Sequence, residues 1–161
     1  SLNSGRPTNA LTFTCQIVLS EQVNTHMILI NSSMDPAYSR IANYNFAIHS
    51  SAGEQVASSH ATVGPFGIRV LDMAQIIPAE AVESERDPQD GISAFTMVGY
   101  CEDAALISVA VNAAPVLGAV ALEHTHPPQT YLFPYQANQE RTIKSAAIAG
   151  WKSRLAGSQG S

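Results

Sequence analysis

Apolar and polar residues alternate strictly at the start of the patterned part of the chain. Leu11, Phe13, Cys15 and Ile17 are separated by single polar residues. Successive side chains of a strand point to opposite faces of its sheet, so this period of two predicts a half-buried β-strand. Residues 26–31 form a nearly continuous apolar run with β-branched side chains, which predicts a second, buried strand.

A β-hairpin is predicted after this second strand. Apolar and polar residues alternate over residues 43–48, turn-forming residues follow at 51–54, and residues 55–63 return as a strand. Residues 64–67, with the sequence Gly-Pro-Phe-Gly, then break the ladder because proline has no amide hydrogen to donate.

The second half of the chain predicts further strands and one helical turn. The strands are expected at residues 68–71, 92–101, 105–112 and 116–124, with a turn at residues 112–115. Asp72 is expected to cap a short helical turn that ends at Ile77. Residues 78–91 hold five acidic residues and one arginine among prolines and a glycine, which predicts an acidic surface loop.

A longer helix is predicted only near the C-terminus. Asn138 is its expected N-cap and Gly157 its expected end. The apolar residues that recur there at helical spacing are Ile143, Ala146, Ala147, Trp151 and Leu155.

These elements together predict an all-β fold. About eight closely spaced strands leave no room for crossover helices, so we expect an antiparallel β-sandwich, immunoglobulin-like or jelly-roll-like, with one C-terminal helix, or else a closed barrel. The expected organisation is a flexible lead at residues 1–10, a β-sandwich domain at residues 11–135, and a basic amphipathic helix and tail at residues 136–161.

Charge separates the body of the chain from its tail. The net charge is −5, and charged residues make up only 13% of the chain. Residues 1–135 contain 4 basic and 12 acidic residues, whereas residues 136–161 contain 4 basic and 1 acidic residue. Nucleic-acid binding requires clustered Lys and Arg, so we expect no nucleic-acid partner.

The low charge of the surface predicts a homo-oligomer. Residues 138–155 are expected to contribute contacts, because an amphipathic basic segment needs a surface that covers its apolar side. We expect the tail to dock on the acidic residues 78–91, within one chain or between chains.

The sequence predicts a soluble chain. No apolar run approaches the roughly 18 residues of a membrane span, so no transmembrane segment is expected. The N-terminus lacks an export signal, which slightly favours the cytoplasm and leaves the compartment open. Cys15 and Cys101 would form a disulfide in an oxidising compartment, but cysteines on apolar strands favour buried free thiols.

His124 and His126 are the strongest candidates for metal binding. Side chains at i and i+2 of a strand share one face, with their Cα atoms about 7 Å apart, which is within reach of one metal ion. Gly118, five further residues and His-Thr-His resemble the first motif of cupin metal sites, which implies a divalent metal such as Zn, Fe or Mn. The acidic ligand of that motif would fall near residues 130–131, which hold no carboxylate, and no histidine follows His126. The alternative interpretation is that both histidines lie on the polar rim of the last strand.

Three other histidines are further candidate ligands. If the hairpin turns at residues 52–53, His60 lies opposite Asn45, which is roughly 13 Å along the strand from His49. His49 and His60 therefore cannot share a metal in that register. The distance from His26 to the predicted metal site is not set by the sequence.

The motifs as a whole favour binding over catalysis. The chain contains no Gly-x-Ser-x-Gly, no phosphate-binding glycine loop, no His-Glu-x-x-His and no Cys-x-x-Cys. Tyr131 and Phe133 either pack internally or bind a ligand together with the two histidines. We expect a non-catalytic module, without a cofactor, that recognises a partner protein or a small ligand such as a carbohydrate through its loop-rich ends. The alternative is a cupin-like metal-dependent enzyme that uses His124 and His126.

The order of segments between residues 25 and 126 resembles the sensory rhodopsin transducer proteins, a family of small bacterial β-sandwiches. The residues that carry the resemblance are the strand Met-Ile-Leu-Ile-Asn at 27–31, Gly53-Glu54 in the hairpin, the Gly64-Pro65 break, and Glu-His-Thr at 123–125. The resemblance implies a fold similar to carbohydrate-binding sandwiches, assembly into tetramers, and action by binding. The chain departs from the family in its acidic segment 78–91 and in its basic C-terminal helix.

Overall fold

The structure is a computed structural model that describes residues 11–102, 104 and 106–124. It is a sandwich of two four-stranded antiparallel sheets, with strand orders β1-β6-β3-β4 and β5-β2-β7-β8. The strands are β1 (Leu11–Leu19), β2 (Asn24–Asn31), β3 (Ala42–His49), β4 (Gln55–Val63), β5 (Ile68–Asp72), β6 (Ser93–Glu102), β7 (Leu106–Ala114) and β8 (Ala119–His124). The predicted all-β sandwich is confirmed, while the predicted C-terminal helix lies outside the described residues.

Most connections cross from one sheet to the other. The strand pairs β3–β4 and β7–β8 are hairpins within a sheet, and the other consecutive strands lie in opposite sheets. The loops therefore collect at two ends of the sandwich. One end carries residues 32–41 and 64–67, which follow β2 and β4, and the other end carries the β3–β4 turn and two short helices.

The β3–β4 hairpin has the predicted register. Asn45 lies opposite His60, and Gly53 occupies the turn with a φ of 82°. A bulge near the turn shifts the register between Ile48 and His49. The turn before β8 differs from its prediction, because β7 continues to Ala114 and a 3-10 turn follows before Gly118.

The core lies between the two sheets, where alternate residues of each strand meet. The Sγ of Cys15 on β1 contacts the Sδ of Met27 on β2 at 3.4 Å, so the two sheets are in direct contact. Tyr44 and Phe46 stack with their ring centroids 5.5 Å apart. The largest fully buried side chains include Tyr44, Phe46, Phe95, Ile17, Met27, Leu29, Ile48, Met73 and Met97.

Residues 78–91 are not simply a loop. After α1 (Met73–Ile76), which Asp72 caps as predicted, α2 (Ala79–Ser84) forms a second short helix. The prediction of an acidic surface loop is wrong here because Ala81 and Val82 pack against the core and hold the segment on the sandwich. The helix is also tied to the hairpin turn, since the backbone amide of Ser51 donates to Oε2 of Glu85 at 3.0 Å.

None of the helices within the described residues combines the length and hydrophobicity needed to cross a membrane.

Candidate functional site: an apolar loop tip and an aliphatic sheet face

Three of the four residues predicted to bind a ligand lie outside the described part of the chain. His124 is the last residue of β8, and its backbone pairs with Val109 of β7. The predicted ligand-binding residues His126, Tyr131 and Phe133 lie outside the described residues, so the metal-site hypothesis stays a prediction.

The other three histidines are distributed over both sheets. His49 and His60 lie on β3 and β4 of one sheet, whereas His26 lies on β2 of the other. His26 is two strands away from His124 and out of register with it, because His26 pairs with Val111 and His124 with Val109. Within the described residues, no group of three His, Cys, Asp or Glu side chains is placed to hold a metal ion.

His26 and Asp72 form a loose polar pair on the outward surface of their sheet. The Nε2 of His26 lies 4.0 Å from Oδ2 of Asp72, and both side chains are partly exposed. The other oxygen of Asp72 accepts from Nδ2 of Asn24 at 2.8 Å and from the backbone amide of Ala74 at 3.0 Å. Asp72 thus caps α1 and anchors β2 rather than activating a nucleophile.

Cys15 and Cys101 form no disulfide, and both are buried. Burial raises the pKa of Cys15 from 9.0 to about 12, and the negative charge of Glu123 adds to the increase. Cys101 has no exposed surface. A thiol is nucleophilic only as the thiolate, so these cysteines are structural groups.

We expect neither thiol to react with iodoacetamide in the native protein at pH 8. The Cys15 proton is retained up to about pH 12 in the folded chain but is lost near pH 9.0 in the unfolded chain. The free energy of unfolding should therefore decrease as the pH rises through this window. Mass spectrometry of the alkylated protein, with and without urea, measures the reactivity, and rapid labelling without urea would contradict the expectation.

Asn31 organises the loops at one end of the sandwich. Its buried amide nitrogen lies 2.8 Å from the carbonyl oxygen of Arg40, 3.0 Å from that of Val63 and 3.1 Å from that of Gly64. The hydroxyl of Tyr38 donates to Oδ1 of Asn31 at 2.7 Å. A single side chain at the end of β2 therefore connects two loops that are distant in the sequence.

The turn after β4 holds Phe66 in an unusual backbone conformation. The amide of Gly67 donates to the carbonyl of Gly64 at 3.0 Å, which closes a turn with Pro65 at its second position. Phe66 is third, with a φ of 56°, and among the described non-glycine residues it alone has a positive φ. Glycine or asparagine is usual there, and a larger residue costs about 1–2 kcal/mol. The protein therefore has an aromatic residue at this position despite the backbone strain, although glycine would adopt the same conformation without strain.

Phe66 belongs to a small group of exposed apolar residues. Its ring meets Tyr38 edge to face, with the centroids 5.9 Å apart, and about half of its surface (51%) is exposed. On the neighbouring loop, Met34 is fully exposed and Ile41 is 55% exposed. We call Met34, Tyr38, Ile41 and Phe66 the apolar tip.

The loop that carries Met34 is internally hydrogen-bonded. The amide of Tyr38 donates to the carbonyl of Asp35 at 3.0 Å, and the amide of Ala37 donates to Oδ1 of the same residue at 2.9 Å. The amide of Asp35 in turn donates to Oγ of Ser33 at 3.2 Å. The apolar tip is thus presented on a structured loop.

A second apolar surface covers the outward side of the sheet β5-β2-β7-β8. Its register aligns aliphatic residues across neighbouring strands: Val70, Ile28 and Val109 form one row, and Ile68, Ile30 and Ile107 form the next. Four strands at ~4.8 Å spacing and about six residues of length give a surface of roughly 400 Å² in projection. We call it the aliphatic face, and its members are Ile28, Ile30, Ile68, Val70, Ile107, Val109, Val111, Val120 and Leu122.

These two surfaces were not predicted from the sequence. The unusual residue in the Gly-Pro-Phe-Gly turn is visible as a phenylalanine where glycine is preferred, but only the backbone shows its positive φ. The aliphatic face could not be predicted without the strand order, because its residues come from four different strands.

Comparison of the chain with models of protein families, with curated proteins and with solved structures finds no significant match.

Proposed function

We propose that this chain is a non-catalytic binding module that recognises a partner protein through the apolar tip. The observation that carries the proposal is the backbone of Phe66, which keeps a left-handed conformation while its ring is half exposed. Strain of this kind persists where the surrounding structure imposes it, and it concentrates at ligand-binding and catalytic sites. Binding without catalysis is also what the resemblance to the transducer family implies.

The chemistry of the tip favours a protein over a carbohydrate. Met34 and Ile41 offer exposed apolar surface and no hydrogen-bonding side-chain groups. Methionine and aromatic residues are enriched at protein interfaces, where a few such side chains contribute most of the binding energy. Specific polar contacts would be needed to orient the hydroxyl groups of a sugar. We therefore favour a protein partner, and a binding test would show whether the ligand is a carbohydrate instead.

The scaffold beneath the tip suits recognition. Asn31 connects both loops to the end of β2, and the Asp35 turn holds Tyr38 in place. A partner then binds to a largely formed surface, which lowers the entropic cost of association. The homo-oligomer predicted from the low surface charge stays a prediction beside this proposal.

Two substitutions of Phe66 separate strain from binding. Phe66→Gly relieves the backbone strain of about 1–2 kcal/mol but loses the contact with Tyr38, worth about 0.5–1.5 kcal/mol. Phe66→Ala loses the same contact and keeps the strain. We therefore expect the glycine variant to be more stable than the alanine variant by about 1 kcal/mol, as measured by urea denaturation.

Both variants should lose the partner protein. We expect wild-type protein, fixed to beads, to recover a defined partner from a lysate of the source cells, and Phe66→Gly and Phe66→Ala to recover at most about one-tenth as much, which corresponds to ~1.4 kcal/mol. Ser58→Asp is the matched control, since Ser58 is exposed in the middle of β4 and outside the apolar tip. Equal recovery by all variants, or binding of the wild type to a glycan array alone, would contradict the proposal.

A further inference from the structure

We propose that residues 136–155 pack against the aliphatic face of their own chain, rather than against the acidic residues 78–91, and form a third layer on the sheet β5-β2-β7-β8. This inference is independent of the binding function proposed for the apolar tip. It concerns another surface, and its test uses other residues.

The aliphatic face is exposed along both of its edge strands. Leu122 is 73% exposed, Ile68 is 68% exposed and Val70 is 56% exposed, although all three are aliphatic and lie on one side of one sheet. The central strand β2 has apolar side chains on both of its sides, with Met27 and Leu29 facing the core and Ile28 facing outward. Strands with this pattern are typical of sheets that are covered on both faces.

The path of the chain keeps residues 136–155 within reach of the aliphatic face. β8 is an edge strand of this sheet and ends at His124. Residues 125–135 can span at most about 36 Å when extended, and the face is only about 20 Å across. A segment tethered this closely has an effective concentration in the millimolar range, which favours docking on its own chain over docking on another copy.

The C-terminal segment and the body of the chain carry net charges of opposite sign. Residues 136–161 carry 4 basic and 1 acidic residue, whereas residues 1–135 carry 12 acidic and 4 basic residues. The segment also has apolar residues at helical spacing, among them Ile143, Trp151 and Leu155. A helix over residues 136–155 would be about 30 Å long, sufficient to cross the face.

A second copy of the sheet is the weaker candidate for the same surface. Two aliphatic faces packed together would bury roughly 800 Å² in projection. Specific and stable interfaces bury at least about 1,000 Å² of accessible surface, so a dimer formed through this face alone would lie near the weak end of that range. A tethered segment can dock stably with a smaller buried area, because it loses little translational and rotational entropy on docking.

Trp151 is the single tryptophan of the chain and lies in the proposed segment, so its fluorescence reports docking. The experiment uses the full chain and compares wild type with Leu122→Lys and Val70→Lys, which place a charge on either edge strand of the face. Ser58→Lys places the same charge on the outward side of the other sheet and is the control. Leu122 and Val70 are exposed within the described residues, so the sandwich should tolerate both changes.

We expect the Trp151 emission of wild type and Ser58→Lys to be blue-shifted and poorly quenched by acrylamide. In both face variants the emission should shift to the red, and quenching should rise toward that of the urea-unfolded chain. Far-ultraviolet circular dichroism should show the same strand content in all four proteins.

Three results would overturn the inference. One is a wild-type Trp151 as accessible to acrylamide as in urea. Another is a protected Trp151 that neither face variant changes, since the segment would then pack elsewhere. The third is a Trp151 that is protected from acrylamide only at high protein concentration, where light scattering also gives the mass of a dimer. That result would place a second copy of the chain on the face.

Discussion

Replacing Gly99 with alanine should lower the free energy of unfolding by about 3 kcal/mol. Gly99 lies on β6, and a Cβ at this position would overlap the ring and hydroxyl of Tyr44. Tyr44 is fully buried and stacked on Phe46, so its ring has no free space into which it can move. The sandwich must either separate locally or force Tyr44 out of its preferred rotamer. Urea denaturation followed by circular dichroism measures the loss.

Gly64→Ala is the matched control for this substitution. Apart from the atoms of its two chain neighbours, no atom lies within 4 Å of the position that a Cβ on Gly64 would take, and its φ is not in the left-handed region. We expect its stability to stay within about 0.5 kcal/mol of wild type. If Gly99→Ala were as stable as Gly64→Ala, the close packing of Tyr44 on β6 would be wrong.

Replacing Asn31 with alanine should also cost about 3 kcal/mol, because buried polar groups without partners cost about 1–3 kcal/mol each. The substitution removes the donor that faces the carbonyl oxygens of Arg40, Val63 and Gly64, and it removes the acceptor of the Tyr38 hydroxyl. Water can reach some of these groups once the loops separate, which limits the loss. The two loops of the apolar tip should no longer be held against each other, so amide hydrogen exchange in residues 32–41 should become faster.

Tyr38→Phe is the control that removes one hydrogen bond from the same network. It keeps the aromatic contact with Phe66 and leaves the donor side of Asn31 intact, so we expect a loss of only about 1 kcal/mol. Equal losses in Tyr38→Phe and Asn31→Ala would show that the carbonyl contacts of Asn31 contribute nothing. Asn31→Ala should also abolish partner binding through the tip, although it does not touch the exposed side chains.

The positions of the strands were predictable because each strand is patterned by the face it buries. The alternation at Leu11–Leu19 and the turn residues around Gly53 are local signals, so β1 and the register of the β3–β4 hairpin were both predicted correctly. The helical turn after Asp72 was also predicted, since capping depends on one side chain and the amides that follow it.

The segment 78–91 shows where local signals fail. Its acidic residues and prolines are typical of a surface loop. Residues 79–84 nevertheless form α2, in which Ala81 and Val82 are partly buried against the core. The packing of Ala81 and Val82 stabilises α2 more than intrinsic helix propensity does, as is usual for short helices. The amino-acid composition of such a segment indicates that one side of it is exposed to solvent. It does not indicate whether the other side packs against the core.

Chemistry and location of the surfaces were decided by the tertiary structure. The sequence by itself determined an all-β chain of antiparallel strands with buried thiols, because alternation and turns act between neighbours in the chain. Strand order places Val70, Ile28 and Val109 in one row, although 42 positions separate Ile28 from Val70. Asn31 likewise meets the carbonyl of Gly64 across 33 positions. Contacts at such separations depend on how two sheets pack as a whole, which no local pattern encodes, and they alone create the apolar tip and the aliphatic face.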